Sequence, residues 1–255
     1  MTETVLTIAS SDSSGGAGVS ADMRVFHIMG VHGTCAVCNV TAQNSFGVQK
    51  IYKVAPRVIE AQIDAIAKDF DIKSAKVGML YSAEAVNCVA KRIKRRKIPN
   101  IILDIPIISK NGVQITKERA YKSIVKNLLP LACLITPNIP EAEKLADMKI
   151  ESPEDIKTAC RKIKDLGVGN VLIKGGHSES PCDLLYDGES FYEFEGEKYS
   201  EKRVHGTGCS LSAGICACVG KGMSLRESIS AAKDFINKEI ENSVSLGKGK
   251  MDFMI

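Results

Sequence analysis

The 255-residue chain contains no tryptophan, and aromatic residues make up only 5% of it. Stacking platforms for single-stranded nucleic acid are therefore scarce. No apolar run approaches the roughly 18 residues that a membrane span requires. The opening Met-Thr-Glu-Thr leads straight into the strand-like run Val5-Leu-Thr-Ile-Ala9, with no room for a secretory signal. A Gly-x-Gly-x-x-Gly dinucleotide fingerprint is missing, and so is the Gly-x-x-x-x-Gly-Lys-Ser/Thr phosphate loop. Cys35-x-x-Cys38 has metal-like spacing but no second Cys-x-x-Cys or histidine pair to complete a site. It also lies in a strand-like stretch, where residues three apart face opposite sides. These absences leave a soluble, cytoplasmic, globular chain as the expectation, with no membrane or nucleic-acid partner.

What is present fits that class. Apolar residues form 44% and charged residues 25%, close to globular averages. Nine cysteines, odd in number and scattered, read as reduced thiols. Lysine and arginine (34) exceed aspartate and glutamate (30) by only four charges, spread over the length. The one dense basic run, Lys-Arg-Ile-Lys-Arg-Arg-Lys at 91–97, is expected to be a solvated helix end, where cations complement the helix dipole.

Short apolar runs alternate with amphipathic ones. Strands are expected at 5–9, 35–41, 75–80, 100–104, 134–136 and 171–174. Helices are expected at 17–29, 56–70, 82–96, 116–128, 140–147 and 152–166, from apolar residues at helical spacing. Ser152-Pro153-Glu154-Asp155 supplies a cap, a proline at the first helical position and acids in the first turn. Such alternation implies an α/β fold: a mostly parallel, doubly wound sheet with helices on both faces. After Lys174 the runs shorten, and 183–186, 191–194 and 198–204 read as antiparallel strands, followed by helices at 208–219 and 224–242. One domain spanning 1–255 is expected.

In open α/β sheets, ligands bind beyond the carboxyl ends of the strands. Polar groups collect there. Ser10-Ser-Asp-Ser-Ser-Gly15-Gly16-Ala17-Gly18 joins the first strand to the first helix, as a tight turn or as a ligand cradle. His205-Gly206-Thr207-Gly208-Cys209 joins a strand to a helix rich in small residues. Its glycines would expose backbone N–H groups at the positive helix end, an anion hole. Cys209 is either a thiol whose pKa the helix end lowers, a plausible base, or a small buried residue like Cys216 and Cys218. Asp104, Asn138, Glu141 and Lys174 also follow strands. Acids here could hold hydrated Mg²⁺ and a lysine could neutralise phosphate, although Asn138 with Glu141 equally fits a capping box. The joint pattern favours phosphoryl transfer.

These motifs, with Thr41-Ala-Gln-Asn44, Lys76-Val-Gly-Met-Leu80 and Leu134-Ile-Thr-Pro-Asn-Ile-Pro-Glu-Ala-Glu143, resemble the hydroxymethylpyrimidine/phosphomethylpyrimidine kinases of thiamine biosynthesis. That family belongs to the ribokinase-like superfamily, and the likeness covers nearly the whole chain. Cysteine ending the anion-hole motif, where other superfamily branches carry aspartate, points to the pyrimidine branch. The resemblance implies a ribokinase-like fold and ATP-dependent phosphorylation of 4-amino-5-hydroxymethyl-2-methylpyrimidine, then of its monophosphate. It implies that Gln43 hydrogen-bonds the aminopyrimidine, with Asp22, Gly16, Ala17, Gly18 and Met79 lining the same pocket. Cys209 would take the hydroxyl proton, and Gly206, Thr207 and Gly208 would stabilise the transferring phosphoryl group. Asp104 and Glu141 would serve Mg²⁺, directly or through water. Lys174, Asn138 and Glu141 would serve ATP phosphates, with Lys233 either near the nucleotide or solvated on its helix face. A homodimer is also implied.

Departures from the pattern are local. Ser10 stands where the family commonly has glycine, and Asn39 where it has alanine. Val204 replaces a frequent threonine, and Asp104-Ile-Pro-Ile-Ile-Ser-Lys110 places its proline differently. The ending at 247–255 lacks the usual Gly-Pro-x-x-His. A pyridoxal or pyridoxine kinase of the same branch, and a non-catalytic sensor of either phosphate, are the competing readings.

Overall fold

The computed structural model describes residues 2–107, 116–175, 182–196, 204–249 and 251–254. Lys110, Gly176, His177 and nearly all of the strand expected at 198–204 lie outside the described residues.

A nine-stranded sheet organises the chain in the order β3-β2-β1-β4-β5-β6-β7-β8-β9. Its parallel centre comprises β2 (His32–Asn44), β1 (Thr4–Asp12), β4 (Ile72–Val77), β5 (Ile101–Leu103), β6 (Ala132–Ile135) and β7 (Val171–Ile173). These strands read as continuous apolar runs because helices cover both faces. The two-residue side-chain period then splits them between two cores. Leu6, Ile8, Ile101, Leu103, Val171 and Ile173 pack on one side against α2 (Pro56–Asp69), α3 (Ala83–Arg96), α5 (Ile139–Ala146) and α6 (Pro153–Lys164). Val5, Ile102, Leu134 and Leu172 pack on the other against α1 (Gly18–Ile28), α7 (Thr207–Gly220) and α8 (Leu225–Glu241).

The antiparallel strands β8 (Cys182–Tyr186) and β9 (Phe191–Glu195) extend one edge, as expected. The other edge holds an unexpected one. β3 (Gly47–Lys53) pairs antiparallel with β2 through a tight hairpin. It buries little, so no apolar run marks it in the sequence. A separate small ladder pairs β10 (Val204–His205) with β11 (Asp252–Phe253) in parallel.

Two helical expectations need correction. The helix expected at 116–128 is shorter: α4 (Glu118–Ser123) passes into a π-turn over Ile124–Leu128 and a 3₁₀ turn over Leu129–Leu131, where Pro130 cannot continue an α-helix. The basic run at 91–97 is only partly solvated. Arg92 reaches Glu60 at 2.7 Å and Asp64 at 3.1 Å, and Arg96 reaches Asp64 at 2.7 Å, tying α3 to α2.

Candidate functional site

The expected site residues cluster where the parallel strands end. β1 ends at Asp12, whose carboxylate organises the turn into α1. It accepts from Ser14 N (2.8 Å), Ser14 Oγ (2.7 Å) and Ala17 N (2.9 Å). Burial works against its ionisation, but hydrogen bonds from His205 and Ser14 prevail and hold the carboxyl below its usual range. Glycines let this loop touch the loop after β10. Gly206 has φ 81°, and a Cβ there would overlap the Gly16 carbonyl, while a Cβ on Gly16 would overlap the His205 ring.

α7 begins directly after Gly206, so Thr207, Gly208 and Cys209 form its first turn, with free N–H groups at the positive end of the dipole. The environment of Cys209 differs from the expectation. Burial pushes its thiol pKa up; Lys76 opposes this, and Asp104 and Asp22 reinforce it. The helix end and the Gly18 N–H favour a thiolate but do not prevail.

Beneath Cys209 lies a buried ion pair. Lys76 Nζ is 2.6 Å from Asp22 Oδ1, and Thr7 Oγ1 donates to Asp22 Oδ2 at 2.6 Å, with all three residues 0% exposed. Burial disfavours the lysine charge, but Asp22, then Cys209 and Asp104, outweigh it and keep Lys76 protonated. The Asp22 carboxylate is thus fully enclosed, with Thr7 and Lys76 as its partners.

A second cluster stands beside the first turn of α7. Asp104 follows β5, and its Oδ1 accepts from Thr136 Oγ1 and Lys174 Nζ, both at 3.0 Å; the Ser212 hydroxyl lies 3.0 Å from Asp104 Oδ2 and equally from the Gly208 and Cys209 carbonyls. Against the effect of burial, Lys174 and Lys76 hold the Asp104 pKa down. Lys174 comes close to Gly208: a Cβ there would lie 3.3 Å from its Nζ, a tight contact. Asn138 and Glu141 form a true capping box: Asn138 Oδ1 accepts from Glu141 N, and Glu141 Oε2 accepts from Asn138 N, both at 2.9 Å. Glu141 Oε1 also accepts from Ile107 N at 3.2 Å. Burial nevertheless pushes its pKa up to about 7, although Lys174 opposes this. Lys233 is not a solvated helix-face lysine. It is buried, 2.7 Å from Asp183 Oδ2, and Asp183 Oδ1 accepts from Gly175 N at 2.9 Å.

Gln43, near the end of β2, faces this assembly through His205, its Nε2 2.8 Å from the ring Nε2. Half-buried Met79 follows β4, and its carbonyl accepts from Ser10 Oγ at 3.2 Å. The structure therefore brings Gly16, Ala17, Gly18, Gln43, Met79, Asp104, Lys174 and Cys209 to one end of the sheet, with Lys233 behind. Sequence reading assigned no role to Lys76, Asp12, Thr136 or Ser212, and placed His205 only as part of the anion-hole motif. Lys76 carried little local signal, because Lys73 and Ser74 stand in the same short strand, Ile72–Val77.

With this geometry in place, known proteins supply the comparison. The phosphomethylpyrimidine kinase family matches residues 12–253. The chain belongs to that family. A hydroxymethylpyrimidine/phosphomethylpyrimidine kinase from Haemophilus influenzae is 41% identical over 252 residues, covering 96% of this chain and 93% of its own. The crystal structure of a phosphomethylpyrimidine kinase from Clostridium difficile has a TM-score of 0.84 at 34% identity, covering 92% of this chain and 98% of the other. A Bacillus subtilis pyridoxal kinase, solved as an ADP complex, has a TM-score of 0.92 at 33% identity, covering 100% and 97%. The fold is thus that of this kinase group, and the chain is a phosphotransferase. Among the described residues, no helix is long and apolar enough to cross a membrane.

Proposed function

We propose that this chain transfers the γ-phosphoryl group of ATP to the hydroxymethyl group of 4-amino-5-hydroxymethyl-2-methylpyrimidine, and then phosphorylates the monophosphate in the same site. One observation carries the reading: Cys209 stands in the first turn of α7, where N–H groups have no intrahelical partner, close to a protonated Lys76 and to Lys174. In this reading Cys209 accepts the substrate's hydroxyl proton while Gly206, Thr207 and Gly208 stabilise the phosphoryl group through backbone N–H groups. Gln43 binds the pyrimidine, and Met79 and the Gly16, Ala17, Gly18 turn enclose it. Lys174 and Asn138 meet the ATP phosphates, and Lys233 braces the Lys174 loop through Asp183.

Magnesium fits this site through water rather than by direct chelation. Asp104 Oδ1 already accepts from Thr136 and Lys174, and both oxygens of Glu141 accept backbone N–H groups. Asp104 and Glu141 would therefore hold a hydrated ion, which suits a cation that keeps several waters. When bound, it would neutralise phosphate charge.

A single domain, a cytoplasmic setting and a homodimer complete the proposal. All nine cysteines are free, which suits a reducing compartment. The β2–β3 hairpin exposes Val40, Phe46, Val48 and Tyr52, an apolar face suited to a second copy. Sedimentation of Tyr52→Lys should show dissociation, and an unchanged dimer would exclude this face.

The second reading, a pyridoxal kinase, is favoured by the higher backbone similarity to that enzyme, TM-score 0.92 against 0.84. ATP consumption with the pyrimidine, its monophosphate and pyridoxine offered separately decides between them. Turnover of pyridoxine alone would overturn the proposal, and binding without turnover would leave only a sensor. Gln43→Ala should mainly raise the pyrimidine KM; a selective loss of ATP affinity would remove Gln43 from the substrate pocket.

A further inference from the structure

One ring nitrogen of His205 meets two partners at once. Nε2 lies 2.9 Å from Asp12 Oδ2 and 2.8 Å from Gln43 Nε2. The Asp12 carboxyl, held below its usual range, is a carboxylate that can only accept. Nε2 must therefore carry a hydrogen, in the neutral ring or in the imidazolium alike. An N–H there has no bond to make with the NH₂ group of Gln43, because both are donors.

A second conflict sits at the other end of the same amide. The Thr41 hydroxyl has one hydrogen, and it is donated to the Ser11 carbonyl at 2.9 Å. Gln43 Oε1, 3.4 Å away, is too distant to take a real share of it. Amide oxygen and nitrogen have nearly the same shape, so their partners decide which is which. A half-turn of the Gln43 amide resolves both conflicts. Its oxygen then shares the single Nε2 hydrogen with Asp12 Oδ2 in a three-centre bond, and its nitrogen donates to Thr41.

We infer that Asp12 and His205 are positioning residues that fix the Gln43 amide, oxygen toward His205 and NH₂ toward Thr41, and so set the donor and acceptor pattern offered to a heteroaromatic substrate. The chain of cause runs from a carboxylate, through a ring nitrogen, to an amide. The ring itself is held from behind. His205 pairs with Phe253 in the β10–β11 ladder, and the two rings meet edge to face with centroids 6.0 Å apart. Because Gly206 follows directly, the residue that orients Gln43 also begins the anion loop. The identity of the substrate ring rests on the function proposed above; the orientation of the amide does not.

Two measurements test this. Ring-nitrogen chemical shifts of isotope-labelled histidine in the intact protein should show His205 Nε2 protonated; a bare Nε2 with a hydrogen on Nδ1 would overturn the inference. In a double-mutant cycle, His205→Ala and Gln43→Ala should each raise the KM of the phosphorylated alcohol about tenfold, the loss of roughly one hydrogen bond. The double variant should be no worse than Gln43→Ala alone, because His205 acts through Gln43. His205→Gln, which restores a donor, should recover most of the loss. Additive effects, or a fall in kcat at unchanged KM, would overturn the inference. The chemical-shift result stands whichever alcohol the enzyme accepts, so it separates this inference from the substrate assignment.

Discussion

Asn39 Nδ2 lies 3.0 Å from Ser10 Oγ, the two residues paired directly across β1 and β2 where the register shifts after Ala9. Both also contact the Met79 carbonyl, at 3.4 Å and 3.2 Å. The two places where the sequence exceeds its family's usual small residues are thus one feature. Asn39 is 1% exposed, so its amide nitrogen serves this contact rather than the open pocket.

The pair should be energetically coupled. Asn39→Ala alone should destabilise the protein by about 1–3 kcal/mol, through partners left unpaired. Adding Ser10→Gly should cost less than its effect in the parent, with a coupling of about 0.5–3 kcal/mol in urea unfolding. Strictly additive losses would show two independent residues.

Cys209→Ala should lower kcat about a hundredfold or more while nucleotide binding persists, as expected for a lost general base. Because burial raises the thiol pKa above its ordinary value, the thiolate is the minor form at neutral pH. The parent rate should therefore keep climbing as pH rises above neutrality, with no plateau in the ordinary thiol range, and Cys209→Ala should flatten that slope. Full activity in the variant would remove Cys209 from proton transfer.

Lys76→Met leaves Asp22 buried without its cation and should destabilise the protein by about 3–5 kcal/mol. Combining it with Asp22→Asn, which keeps an acceptor for Thr7, should recover much of that loss. In Lys76→Met preparations that fold, alkylation of Cys209 should slow, since the charge favouring its thiolate is gone. Unchanged alkylation would separate Lys76 from the thiol.

Glu141 gives a pH dependence of opposite sign to that of most carboxylates. Its folded pKa, about 7, lies above the ordinary value, so the folded state binds the extra proton between the two. Its contribution to stability is complete at low pH and is lost as pH rises from about 4.5 to about 7. Without nucleotide, the Tm of Glu141→Gln relative to the parent should therefore rise across that interval. A constant difference would contradict the raised pKa.

Much of this was legible in the sequence, for a physical reason. Buried parallel strands must be apolar and must end in polar turns, so β1, β4, β5, β6 and β7 and the residues after them stood out. β3 was not legible because it buries almost nothing, and a hairpin that answers to its partner strand leaves little apolar pattern. Cys209 was found by its place in a glycine motif, but the direction of its pKa depends on Asp22 and Asp104, which only the fold brings near. Ser10 and Asn39 were each visible as departures; their contact required the register shift. Lys233 shows the converse limit, because nothing local distinguishes a buried helical lysine from an exposed one until its partner is known.

Among the described residues, three lysines stand at this end of the sheet, and each is matched by an aspartate: Lys76 with Asp22, Lys174 with Asp104 and Lys233 with Asp183. With the Asp12 and Glu141 carboxyls added, these side chains leave the site no excess of positive charge. Such a site cannot draw a nucleotide from a distance by a long-range field. Capture falls to oriented N–H dipoles at contact range, so the association rate should depend only weakly on ionic strength.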